Sequence, residues 1–220
     1  MKYALLPILL FFFSTSLNAQ SFERHPTYLR AYGNFLYLNG YHIPDLSLPM
    51  ASMNGFLNFS GGLSWQNPKN GIVNELGVGY YRYQSTAEDG TMSDDRVFEA
   101  RYEIGGYVDK KLFNKITFRL SKSVRFFYAS GEADGSPPPL EHRRTTQSVG
   151  INFSYIPHIE IHLFGGVILD VSTSVLGTSW SVVQTYVENP ALTENQRTFG
   201  GFDMDAFGHR LFRLGIGVPL

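Results

Sequence analysis

The chain has no cysteine. That excludes a lipid-modified cysteine, a disulfide framework and any thiolate metal site. Long apolar runs are scarce as well. Beyond the N-terminal stretch, no segment approaches the ~18 consecutive apolar residues of a helical membrane span, so none is expected. Charge of one sign is also missing. Eighteen basic residues face 19 acidic ones, the net charge is -1, and Lys and Arg are scattered, which leaves no footprint for nucleic acid. There is no His-x-His cluster, and isolated carboxylates do not make a metal centre, so neither metal nor cofactor is expected.

What is present begins with a targeting segment. Met1 and Lys2 form a short basic start, Tyr3 to Phe13 is apolar apart from Pro7, and the chain then turns small and polar through Leu17-Asn18-Ala19-Gln20. This pattern predicts a secretory signal peptide over 1–19, because the apolar run is much shorter than the roughly 20 residues of a spanning helix. Residues 20–27 read as a leader, and 28–220 as one domain.

Within that domain the dominant signal is alternation. Phe212, Leu214, Ile216, Val218 and Leu220 share one parity, while Arg213, Gly215 and Gly217 share the other. Period two with one apolar face means a strand. Seven further segments behave alike, over 28–38, 51–65, 72–83, 96–108, 115–130, 143–155 and 159–172. In the fourth, Phe98, Ala100, Tyr102 and Ile104 oppose Glu99, Arg101 and Glu103; in the fifth, Phe118, Leu120, Val124 and Phe126 oppose Thr117, Arg119 and Arg125. Leu36 and Leu38 blur the first strand. Gln66 to Gly71, Asp109 to Asn114 and Ile156-Pro157-His158 read as short turns, and the other connections, 173–197 the longest, as long loops. Residues 180–187 in that last loop have the pattern of a strand extension or hairpin. The pairs Gly61-Gly62, Gly105-Gly106 and Gly165-Gly166 read as relief points for curvature.

Eight strands with alternately short and long connections are the pattern of an all-β, antiparallel transmembrane β-barrel, with short periplasmic turns and long extracellular loops. A soluble eight-stranded barrel or sandwich is the competing reading, and alternation alone does not separate them. The signal peptide, the loop asymmetry and the abundance of Phe (18) and Tyr (13) favour the membrane.

The polar parity then faces inward. It brings Arg30, Arg101, Arg119, Arg125 and Arg213 together with Glu75, Glu99, Glu103, Glu160 and Asp170, plus His162 and His209. An eight-stranded barrel is just wide enough for side chains to fill, and charges persist there only if paired, so a closed ion network is expected. Arg101 is placed as its node, with Arg119 the nearest partner for the acids beside it. Lys122 and Arg210 fall on the lipid-facing parity. A bulge at 121–123, or a strand rising above the membrane, would accommodate the lysine; a headgroup position would suit the arginine.

Acyl transfer or lipid hydrolysis needs a serine with a histidine base and an orienting carboxylate. The candidates are His142, His162 and His209 with Ser148, Ser154, Glu160 and Asp170, and the serines of the sixth strand point inward, so no catalytic residue is assigned. An outer-membrane lipid-modifying enzyme and a narrow channel or small-solute binder stand as alternatives to a structural or surface-binding role.

The signal peptide, the eight alternating segments, the turns Asn67-Pro-Lys-Asn-Gly71 and Tyr155-Ile-Pro-His158, and the ending Leu211-Phe-Arg-Leu-Gly-Ile-Gly-Val-Pro-Leu220 resemble the small outer-membrane β-barrel proteins of Bacteroidota-type bacteria and, more distantly, the OmpA-type membrane domain. The resemblance implies a porin-like barrel in the outer membrane of a Gram-negative cell, embedded in its lipid. It further implies delivery by periplasmic chaperones and insertion by the barrel-assembly machinery. It carries over no catalytic or ligand residue and names no surface partner.

Overall fold

The computed structural model describes residues 27–38, 52–86, 92–108, 115–133, 142–205 and 210–220. Residues 1–26, which hold the expected signal peptide and most of the expected leader, lie outside them, as do 39–51, 87–91, the expected turn at 109–114, 134–141 and 206–209 with His209.

Ten strands form one antiparallel sheet that closes on itself: β1 (Thr27–Leu38), β2 (Ser52–Gln66), β3 (Val73–Thr86), β4 (Met92–Tyr107), β5 (Ile116–Ala133), β6 (Arg144–His162), β7 (Ile168–Thr173), β8 (Leu176–Val187), β9 (Thr198–Asp205) and β10 (Arg210–Pro219). The order is β5-β4-β3-β2-β1-β10-β7-β6-β8-β9, with β5 also paired to β6 so that the ring is complete. β7 and β8 run end to end along β6, and β10 and β9 follow them in the same way. The barrel therefore has eight staves. A one-turn helix, α1 (Glu194–Arg197), leads into β9.

The closing ladder joins the two ends of the domain, from Tyr28 opposite Pro219 to Leu38 opposite Arg210. Its register slips between Asn34 and Leu36. A bulge there shifts the alternation by one residue, which is why Leu36 and Leu38 fit the first strand's pattern poorly.

The second half of the barrel departs from the sequence reading. Residues 156–158 are not a turn, because β6 runs straight through them and His158 pairs with Arg119 of β5. Pro157 is tolerated because the β8 ladder stops at Tyr155 and the β7 ladder starts at His158, so the missing N–H falls in the gap between them. The actual turn lies at 163–167, around a 3-10 turn over Phe164–Gly166. Gly165 and Gly166 there have φ of 64° and 76°, a region that needs glycine, so this pair makes the reversal rather than relieving strand curvature.

Most of 173–197 is likewise strand. Between the pairs His158–Ser172 and Tyr155–Leu176, three steps on β6 meet four on its partner. This bulge moves the buried parity from Asp170, Ser172 and Ser174 to Ser179, Ser181, Val183 and Thr185. A fixed period-two reading loses the strand at that point. The third and fourth strands also reach further than expected, to Thr86 and from Met92.

Lys122 keeps its outward parity. It pairs with Ile104 of β4 and Tyr155 of β6 without a register break, and Ser121 and Ser123 on either side are fully buried. Neither a bulge nor a position above the apolar surface is found, since Ile116, Phe118, Leu120, Val124, Phe126 and Tyr128 flank it on the same parity.

Candidate functional site

The interior is polar and the outside apolar. Along β3, Glu75 is wholly buried while Leu76 and Val78 are 57% and 66% exposed. The same inversion recurs at Arg30 beside exposed Leu29 and at Arg213 beside exposed Phe212 and Leu214. Side chains that ordinarily form a core are thus on the outer wall, and charges fill the middle.

At the short-turn end the lumen is floored by Tyr28, Val73, Tyr107 and Ile168, all buried. Above this floor the charges interlock. Arg30 donates to Asp170 Oδ2 (2.6 Å), Glu160 Oε1 (2.9 Å) and Ser64 Oγ (2.8 Å). Arg101 donates to Glu75 Oε1 at 2.8 Å, and its Nε lies 2.9 Å from Glu103 Oε1 as an ion contact. Arg119 reaches Glu160 at 3.1 Å and Asp170 at 3.4 Å. Arg213 donates to Glu103 Oε1 at 2.8 Å and to Ser172 Oγ at 3.2 Å.

Tyr32 ties these groups together. Its hydroxyl donates to Glu75 Oε2 (3.0 Å), and its ring faces the guanidiniums of Arg101 and Arg213, 5.3 and 4.9 Å from the centroid. Tyr107 donates to Glu160 Oε2 at 3.0 Å.

Towards the long-connection end the pairing loosens. Glu99 sits 3.6 Å from Arg101 and 3.9 Å from Arg125, and Arg125 donates to Ser154 Oγ at 3.2 Å. The Asn58 and Asn152 amides are buried and make no hydrogen bond among the described residues. Over this layer sits an apolar plug of Tyr81, Val97, Phe127 and Ala129.

The structure thus brings together Arg30, Glu75, Arg101, Glu103, Arg119, Glu160, Asp170 and Arg213, with Glu99 and Arg125 beside them. The acids flanking Arg101 draw their further cations from Arg125 and Arg213 rather than from Arg119, which turns towards Glu160 and Asp170. His162 lies near the floor, with Nε2 3.0 Å from Thr117 Oγ1. The histidine inside the network is His158, completely buried, with Nδ1 3.0 Å from Asp170 and Nε2 3.3 Å from Glu103. A turn at 156–158 hides it; the unbroken odd parity Tyr155, Pro157, Ile159, Ile161 is the signal that reveals it.

Chemically, the arrangement neutralises itself, with five arginines facing five carboxylates inside one closed wall. Ser154, a candidate nucleophile, accepts from Arg125, while the carboxylates Glu160 and Asp170 are held by arginines. Among the described residues, no group of three or more His, Asp or Glu side chains is placed to hold a metal ion.

No family model matches the chain, and no curated protein does. Among solved structures, a major outer membrane protein from Thermus thermophilus superimposes with a TM-score of 0.55. It is 11% identical, and the match spans 88% of this chain and 99% of that one. At that identity the likeness is one of fold, and the shared fold is the closed antiparallel barrel.

Proposed function

We propose that this chain is an outer-membrane β-barrel with a sealed lumen, serving envelope integrity or presenting its long connections at the cell surface. The observation that carries the reading is the inverted polarity of the wall, where Leu76 and Val78 face outward around a wholly buried Glu75. In water such a wall would be a contiguous apolar surface of the kind that soluble monomers avoid. In a bilayer it is the surface a barrel needs, since closure leaves no strand edge unpaired in lipid.

The remaining features fit that address. A signal peptide over 1–19 would send the chain to the periplasm, where chaperones and the barrel-assembly machinery of a Bacteroidota-type cell would deliver it. The short connections at 67–72 and 163–167 would face the periplasm and the long ones the exterior. The lumen has an apolar floor, a paired-charge layer and an apolar plug, so a structural role is favoured over conduction or catalysis.

Cell fractionation is expected to place the protein in the outer membrane, with a folded band that shifts on gels when heated. Recovery from the soluble periplasm would overturn the assignment. Planar-bilayer recordings of the full chain should show no conductance above background, and steady single-channel steps would refute the sealed lumen.

A further inference from the structure

The outward surface of β3, β4 and β5 changes character in a single step. Tyr80, Phe98 and Tyr128 lie side by side in register, and the Tyr80 and Phe98 rings are 4.8 Å apart. The next outward row along the same strands is Arg82, Arg96 and Ser130. Aromatic rings followed at once by cations mark the edge of a bilayer core.

Arg82 and Arg96 are directly opposite each other, a placement that like charges disfavour. One carboxylate holds them. Asp94 accepts from Arg82 through both oxygens at 2.9 Å and from Arg96 Nη2 at 2.9 Å. Those bonds hold the Asp94 carboxyl below its usual range, the hydrogen bond from Arg82 being the largest influence, so it stays ionised as a brace. It supplies one negative charge against two positive ones. The next acid in the row, Glu132, is taken by Arg143. Among these five side chains, three arginines meet two carboxylates, which leaves one positive charge. Of the five N–H donors on each guanidinium, Asp94 uses two from Arg82 and one from Arg96. Both side chains are about half exposed.

We propose that Arg82 and Arg96, bridged by Asp94, bind the phosphate of an anionic lipid headgroup at the long-connection rim of the barrel. Planar guanidinium forks match phosphate oxygens in pairs, and the aromatic row beneath would pack on the first acyl carbons of the same lipid. The inference rests on the membrane reading above.

The test is native mass spectrometry of the detergent-solubilised full chain with phosphatidylglycerol or phosphatidylcholine. Wild type should retain phosphatidylglycerol preferentially, and each arginine should contribute about fivefold. The preference should fall in Arg96→Gln and vanish in Arg82→Gln/Arg96→Gln, while Lys69→Gln, in the short turn at the opposite end of the barrel, leaves it unchanged. Equal retention by wild type and the double variant would overturn the site. Inorganic phosphate displacing the lipid from wild type would assign the site to a soluble anion and overturn the lipid. Insertion into pure phosphatidylcholine vesicles tests the membrane reading separately, because no anionic headgroup is present there. Should the double variant not fold, Arg96→Gln alone decides.

Discussion

His158 and Asp170 face each other across β6 and β7 at 3.0 Å, with Glu103 closing on the other ring nitrogen at 3.3 Å. One imidazole thus bridges the two clusters of the network, Arg30–Arg119–Glu160–Asp170 on one side and Arg101–Arg213–Glu103 on the other. His158→Leu would leave both carboxylates short of a partner and is expected to cost about 1–3 kcal/mol. Urea unfolding of the refolded barrel in vesicles measures it. His162→Leu, at the margin of the lumen beside Thr117, should cost less.

The contrast between those two histidines shows what alternation can and cannot tell. Period two sorts the side chains of β3, β4 and β5 correctly, because those strands carry no bulge between Val73 and Tyr128. It cannot say who pairs with whom, since that depends on register and on closure across the lumen. Arg30 and Asp170 are 140 residues apart and meet only because β10 joins β1 to β7. Turn chemistry misleads at Pro157, where a missing N–H reads as a break although it sits between two ladders. Gly165-Gly166, the real reversal, carries the stronger signal, a backbone that only glycine adopts easily.

Arg101 contacts Glu75 and Glu103 within 3 Å and Glu99 at 3.6 Å. Removing one partner of a buried ion cluster leaves uncompensated charge, so Arg101→Met should destabilise by about 3–5 kcal/mol. Adding Glu75→Gln removes one stranded negative charge and should recover part of the loss. A double-mutant cycle on unfolding midpoints tests the coupling, and strict additivity would contradict it.

At the mouth of the barrel, beyond the aromatic row of Tyr80 and Phe98, burial pushes the Asp95 carboxyl up to about 6, aided by neighbouring Asp94 and opposed by the Ser93 hydroxyl. A carboxyl raised above its unfolded value of 3.8 favours folding while protonated, and that contribution is lost as pH rises through about 6. Asp95→Asn should therefore be more stable than wild type at neutral pH, with the gap closing as pH falls towards 4. Unfolding midpoints across that range are the measurement. A gap independent of pH would exclude titration of Asp95 as its source.

Lys122 discriminates between membrane and water. A cation on the lipid face costs about 2–4 kcal/mol at the bilayer midplane and about 0–1 near the interface. On a solvated wall, a surface substitution stays within about 0.5 kcal/mol. Lys122→Leu should accordingly stabilise the barrel in vesicles by an amount that grows with bilayer thickness. No change in thick and thin bilayers alike would argue that this face does not meet lipid.

Gly215 and Gly217 are both buried on the same parity of β10, two residues apart, and they should respond differently to a methyl group. A Cβ on Gly215 would come within 2.3 Å of Tyr32 Cδ1 and 3.0 Å of the Ala31 carbonyl oxygen. The ring cannot simply swing aside, because its hydroxyl is bound to Glu75 and its faces meet Arg101 and Arg213. On Gly217 the same Cβ finds Arg30, Ile168 and Tyr28 at an ordinary 3.6 Å. Gly215→Ala should cost about 1–3 kcal/mol through overpacking. Gly217→Ala should stay within about 0.5 kcal/mol. Because β10 closes the ring against β1, the penalty at Gly215 should also appear as a smaller fraction of the compact, heat-shifted gel band after refolding. Equal losses in the two variants would mean that strand propensity, and not the Tyr32 ring, sets the requirement for glycine.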